Sequence, residues 1–294
     1  MITIMTMTWQ ELLRKRVLVL TLLMTAVFLL AFWFVAATLG YRNMGVFSRS
    51  GDIDLIEQFT RGAFILMLGF FFGGFVLAFL AIFSSFSAIA GEAEQGVMQA
   101  MLPRPIPRWK WFAGRWLGYV TLGIGYAIVL FASILAVTSA HAGIPRDPAL
   151  LLRSFLLFAS VVPLIISVSM LGSCFFSALG NGVFMTMLYG AGWLGGMIEK
   201  LSGSLDLDEK IIQPLNTITG LMSLVMPADA IQRQMLAELL SYDQLTSFVP
   251  MTDDSIFSLF AFGNLPSGSF MMYTVIYGAV AFALGLLRFQ RKDF

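Results

Sequence analysis

Side chains able to do chemistry are scarce in this sequence, and the densest set of them stands between Gly91 and Arg115. That stretch reads GEAEQGVMQAMLPRPIPRWKWFAGR and mixes acids, bases, prolines and tryptophans between two long apolar segments. Elsewhere the candidates are isolated. The one histidine, His141, stands beside Ala142 and Gly143 with no Ser, Cys or acid arranged around it as a catalytic set, and it reads as an interfacial histidine. The one cysteine, Cys174, excludes an intrachain disulfide and a multi-cysteine metal site, and reads as a small buried residue. One histidine cannot make a His-Glu-x-x-His zinc site. Ser202-Gly203-Ser204 and Ser267-Gly268-Ser269 read as loop, not as nucleophile elbows.

The composition explains the scarcity. The chain has 294 residues, 58% hydrophobic and 12% charged, with 28 Phe and a mean hydropathy of +0.84. A soluble domain is about a quarter charged, so the solvent of this chain is lipid. A net charge of +1 implies no nucleic-acid partner. The apolar runs carry almost no acid or base of the kind that couples a transporter to protons or sodium. The sequence also lacks the G-x-x-x-x-G-K-[ST] phosphate loop. If the protein moves something, the energy comes from outside the chain.

The elements that position the polar stretch follow from the charge-free runs. Arg14-Lys15-Arg16 precedes Val17–Tyr41, which is too long for a signal-peptide core and long enough to span as a signal anchor. Gly62–Gly91 holds a second span and Trp116–Pro145 a third. Ser154–Ile198 is 45 residues without a charge, which predicts a hairpin of two spans breaking at Gly180-Asn181-Gly182. The sixth span runs from Ser269 to Leu287. Residues 1–16 predict an interfacial helix, with Trp9, Leu12, Leu13 and Arg16 on one face and Glu11, Arg14 and Lys15 towards water. Ile211–Ala228 is charge-free but holds Gln213, Pro214, Asn216 and Thr217, so an interfacial or re-entrant segment is expected there, not a seventh span. Asp229 is placed to cap a helix with Ile231, Met235, Leu236 and Leu239 on one face, lying flat on the outer leaflet. Gly69/Gly73, Gly114/Gly118 and Gly192/Gly196 are pairs that let helices approach closely.

Six spans put both termini on one side. That side, with residues 1–16, 84–115 and 288–294, carries ten Lys/Arg and four Asp/Glu; the other carries eight and thirteen. The basic bias makes the first side cytoplasmic. In residues 84–115, Pro103, Pro105 and Pro107 enforce an extended piece. Arg104, Arg108 and Lys110 suit anionic headgroups, and Trp109, Trp111 and Trp116 suit the interfacial belt.

Here the sequence resembles the type-2 ABC exporter permeases. Glu92-Ala93-Glu94-Gln95-Gly96, Met101-Leu102, Pro105-Ile106-Pro107-Arg108 and Gly114-Arg115 follow that family's pattern after its second span without a gap. Val97 stands where Thr is usual and Arg115 where Lys is commoner. Trp9-Gln10-Glu11-Leu12-Leu13-Arg14 resembles the family's amphipathic elbow helix. Met226-Pro227-Ala228-Asp229 resembles a segment of the branch that includes the permease of nitrous-oxide-reductase maturation.

The resemblance implies an all-α integral membrane protein, one transmembrane permease domain over 1–294, in the plasma membrane. Its parts are an interfacial helix at 1–16, a cytoplasmic coupling loop at 84–115 and an outer region at 199–268. It also implies an exporter without its own ATPase site or cofactor, paired with a second permease chain and a pair of ABC ATPase subunits that bind ATP and magnesium. Membrane lipids are its further partners. The coupling contact falls on Glu92, Ala93, Glu94, Gln95, Gly96 and Val97, with Pro105, Arg108 and Arg115 fixing the loop against the third span. Two other readings stand beside it: a membrane-bound enzyme with a site in the outer loop around Asp206–Asp254, and a scaffold or sensor subunit that transports nothing.

Overall fold

A computed structural model describes residues 1–14, 16–41, 51–96, 107–142, 147–204, 209–240 and 266–291, without the side chains of 16–17, 40–41, 51–60, 199–204 and 209–212. All elements in these residues are helices. In chain order they are α1 (Ile2–Arg14), α2 (Arg16–Tyr41), α3 (Gly51–Ser85), α4 (Ala90–Glu94), α5 (Arg108–His141), α6 (Pro148–Ser173), α7 (Ala178–Ser204), α8 (Glu209–Val225), α9 (Ala228–Leu239) and α10 (Gly268–Arg291). Five segments are long and apolar enough to cross a membrane: Leu18–Leu39, Arg61–Glu94, Arg108–His141, Pro148–Ser173 and Gly268–Arg291. α7 is 27 residues long, but its seven glycines and Asn181 dilute its apolar character.

α3 is the most enclosed of the five and α2 and α10 the least. Around α3 the rings interlock: Phe70, fully buried, meets Phe131 of α5 at 5.0 Å and Phe158 of α6 at 5.6 Å between centroids. Lipid offers no hydrophobic drive between helices, so such contacts and close backbone approach must hold them together. The three glycine pairs serve that end. A Cβ at Gly69 would lie 2.7 Å from Phe32, one at Gly73 2.7 Å from Ile134, one at Gly114 3.0 Å from Ile4 and one at Gly118 2.7 Å from Thr8. Gly192 and Gly196 lie against Met226 and Asp229.

Four expectations are corrected. The break between α6 and α7 falls at residues 174–177, and Gly180-Asn181-Gly182 lies inside the first turns of α7. The reason is a close approach, not a turn. Asn181 is fully buried, and its Nδ2 donates to the carbonyls of Phe86 (2.8 Å) and Ser169 (2.9 Å). Gly182 lies against the Phe86 ring, where a Cβ would come within 3.0 Å. A turn-forming triplet is thus used to seat one amide between two other segments.

Secondly, α9 does not lie flat on a surface. Asp229, Ile231, Arg233, Met235, Leu236 and Leu239 are all buried, and Gln232 donates to the carbonyl of Phe70 at 2.7 Å over Gly74. The expected apolar face is real, but the polar face is buried as well. Thirdly, Asp229 is not the cap, since Pro227 occupies that position; Asp229 pairs with Arg233 at 3.1 Å one turn on. Asp229 is therefore an acid inside the bundle, where the sequence promised none. Fourthly, Glu11 is not turned wholly to water but pairs with Arg115: Ile4, Thr8, Glu11 and Leu12 turn towards the bundle, while Trp9 and Leu13 are exposed.

α8 packs back along α7, with Met222 against Gly195 and Met226 against Gly192. It stops beside the middle of α7, short of passing back along its whole length. Tyr273 and Tyr277 of α10 donate to the carbonyls of Leu224 and Val225 at 2.7 and 2.8 Å, satisfying the end of α8.

If Asn181 is a clamp, replacing it by Leu leaves two carbonyls without their partner. Asn181→Leu should lower stability by about 1–3 kcal/mol, the usual cost of a stranded buried polar group. Thermal unfolding in detergent checks this.

Candidate functional site

The residues after α3 fold back onto the bundle. Phe86 to Ile89 form a turn, and α4 follows as a short helix ended by Gly96, whose φ of +72° is a left-handed conformation that suits glycine. Among the described residues no other atom lies near the place a Gly96 Cβ would take, and the left-handed conformation there suits glycine. The backbone N–H groups of Ile89 and Ala90 both donate to Ser173 Oγ at the end of α6, at 3.1 and 2.9 Å. These are the donors a helix N-terminus leaves unmet.

Glu92, expected at an outside contact, turns inward. It is 9% exposed and pairs with Arg115 of α5, itself 4% exposed. Arg115 also pairs with Glu11 of α1 and lies over the Trp111 ring, 5.3 Å from its centroid. Magnitudes separate the two pairs. The Glu11 side chain is about a third exposed, so water screens its share. Glu92 and Arg115 are both desolvated, and there the loss of one partner strands a buried charge at about 3–5 kcal/mol.

Glu94 and Gln95 are exposed, with Gly96, and Ala93 is half-buried. Glu94 Oε1 nonetheless accepts from the Ala178 N–H at 2.9 Å, capping α7 with a negative charge at its positive end. Arg108 opens α5 and donates to the Gln290 carbonyl at 3.0 Å, capping the end of α10. Beside it Trp111 stacks on Phe289 at 5.1 Å. Of the expected site residues, Val97 and Pro105 lie outside the described residues.

The structure therefore gathers Glu92, Glu94, Arg108 and Arg115 at one end of the bundle, tied to α1, α6, α7 and α10. Sequence reasoning missed Glu11, Ser173 and Asn181 as the partners. Glu11 had a signal: it is the only acid in residues 1–16. Ser173 had none. His141 plays no part here; its Nδ1 meets the Val137 carbonyl at 2.9 Å.

A bundle of long apolar helices with its charged pairs drawn inward between them is a multi-pass membrane protein whose polar groups brace the helices. The family profile of the ABC-2 family transporter proteins matches residues 2–294, and the chain belongs to that family. That family is the membrane component of ABC transporters. No curated protein matches the sequence.

Arg115→Met should cost about 3–5 kcal/mol of stability by stranding Glu92. Adding Glu92→Gln and Glu11→Gln should restore most of it, because no charge is then left buried. A thermal-shift cycle over the four proteins checks this, and additive losses would count against a shared network.

Proposed function

We propose that this chain is the permease half of an exporter in which ATP is hydrolysed by a separate subunit and the force enters at α4. The observation that carries the reading is the bracing of α4. Arg115 links it to α1 and α5, Ser173 to α6, and Glu94 to α7. A push on this short helix is thereby delivered to four long elements at once. Buried side chains interlock and do not deform continuously, so the displaced end moves as a body.

The contact with the ATPase then divides the motif. Glu94, Gln95 and Gly96 are the exposed residues and meet the motor, with Ala93 behind them, and the family pattern assigns Val97 to the same contact. Glu92 is the internal tie that transmits the load, and Arg115 its anchor. Pro105 and Arg108 set the loop on the third span, the latter through the end of α10. Two copies of the chain and two ATPase subunits with ATP and magnesium make the working unit. Six spans, with α7 as the fifth and both termini in the cytoplasm of a plasma membrane, fit the basic bias of this end. The short return of α8 fits a re-entrant segment. Met226-Pro227-Ala228-Asp229 favours the branch of nitrous-oxide-reductase maturation within the family.

The test is assembly and turnover with a partner ABC ATPase subunit. Glu94→Lys with Gln95→Lys should abolish co-purification of the ATPase or lower its stimulated turnover at least about tenfold, a loss of about 1.4 kcal/mol, with the permease still folded. Unchanged binding and turnover would sink the assignment. An enzyme with its site in the outer loop would keep its activity with no ATPase present.

A further inference from the structure

A cleft between α5, α6, α9 and α10 has no part in the coupling contact. Its volume is about 440 Å³, and its walls include Trp116, Pro163, Leu164, Ile231, Gly278 and Phe282. Among the described residues no charged side chain lines it, and its polar groups are already engaged. Ser160 donates to the Leu157 carbonyl, Ser167 to that of Pro163 and Thr274 to that of Met271, each at 2.7 Å. Trp116 Nε1 donates to Ser167 Oγ at 3.0 Å. The wall therefore presents hydrocarbon, and a polar guest would lose its hydration for nothing in return.

One face of α10 runs from the cleft towards a basic end. Ala279, Phe282, Leu286 and Gln290 recur on one face of α10, half-buried or exposed, and lead from the cleft to the helix terminus. There Arg108 meets the Gln290 carbonyl, Lys110 and Arg291 are exposed, and Lys110 lies 5.6 Å from the centroid of the exposed Trp109 ring. From Gly278 to Gln290 the helix rises about 18 Å, against a half-thickness of about 15 Å for the hydrocarbon of a bilayer. Charge at one end and bare hydrocarbon over such a length match a single lipid.

We propose that the cleft holds one acyl chain of an anionic bilayer phospholipid whose phosphate lies against Arg108, Lys110 and Arg291. The basic residues select the headgroup and the cleft selects the chain. The proposal does not depend on the ATPase assignment, since it needs only the bundle and the membrane.

Native mass spectrometry of the purified full chain tests it, with phosphatidylglycerol and phosphatidylcholine of identical chains in equal amounts. One phosphatidylglycerol should be retained over phosphatidylcholine, by about fivefold for each basic residue engaged. Arg108→Gln, Lys110→Gln and Arg291→Gln together should bring the ratio near one. Gly278→Leu should lower retention of both lipids; a Cβ there would sit 3.5 Å from Leu164, an ordinary contact that leaves the rest of the side chain to fill the cleft. Equal retention of the two lipids by the natural protein, or undiminished retention by Gly278→Leu, overturns the proposal. Should a variant fail to fold, the natural protein answers alone. The emission of Trp116, taken as the difference from Trp116→Phe, should be quenched by chain-brominated phosphatidylglycerol and saturate while that lipid is still a minor component. Quenching that only follows the bulk lipid fraction means ordinary boundary lipid, and overturns it too.

Discussion

A guanidinium out of water must be paired, and in this protein that requirement fixes the end of the bundle. Arg115 is almost fully enclosed and has Glu92 on one side, Glu11 on the other and the Trp111 face beneath. Two carboxylates on separate elements, α1 and α4, must therefore come to the same point on α5. An exposed ion pair contributes about 0–1 kcal/mol and tolerates rearrangement. A desolvated one does not, because either partner alone is several kcal/mol worse off. Arg115 thus works less as glue than as a register mark.

A second buried pair, Asp229 with Arg233, stands at the other part of the molecule. Asp229 packs on Gly196 and Asn181 on Gly172, and along α7 those two levels are about 22 Å apart. Between them aromatic rings and glycine faces are joined by hydrogen bonds such as Trp116 to Ser167 and Gln232 to Phe70. The bundle is thus pinned by charged pairs or amides at two levels and held by dispersion and single hydrogen bonds in between. Such a body can tilt between two packings without losing its internal ties.

Much of this was legible in the sequence. Five charge-free runs became helices long enough to cross a membrane, and the glycine pairs became close contacts, because length and side-chain size suffice for both. What failed had a common cause. Gly180-Asn181-Gly182 is a turn signal when read locally, but the amide of Asn181 is worth more bridging Phe86 and Ser169 than closing a loop. Glu11 read as a water-facing acid and Asp229 as a helix cap because their pairing with Arg115 and Arg233 shows only in three dimensions. α9 read as amphipathic, yet its polar side finds carbonyls and charges inside the protein. Sequence periodicity reports which face is apolar; it does not report whether the polar face has found a partner.

The central claim is that α1, α4 and α5 form one rigid body at this end. It can be measured as a distance between spin labels on Thr6→Cys of α1 and Lys110→Cys of α5, with Cys174→Ala, in the assembled transporter. Both label sites are exposed, and Cys174 is buried. With and without ATP the distance should stay the same, and Glu92→Gln with Arg115→Gln should broaden it. A shift with ATP of about one helical turn, 5.4 Å, in the otherwise unaltered protein would contradict the account.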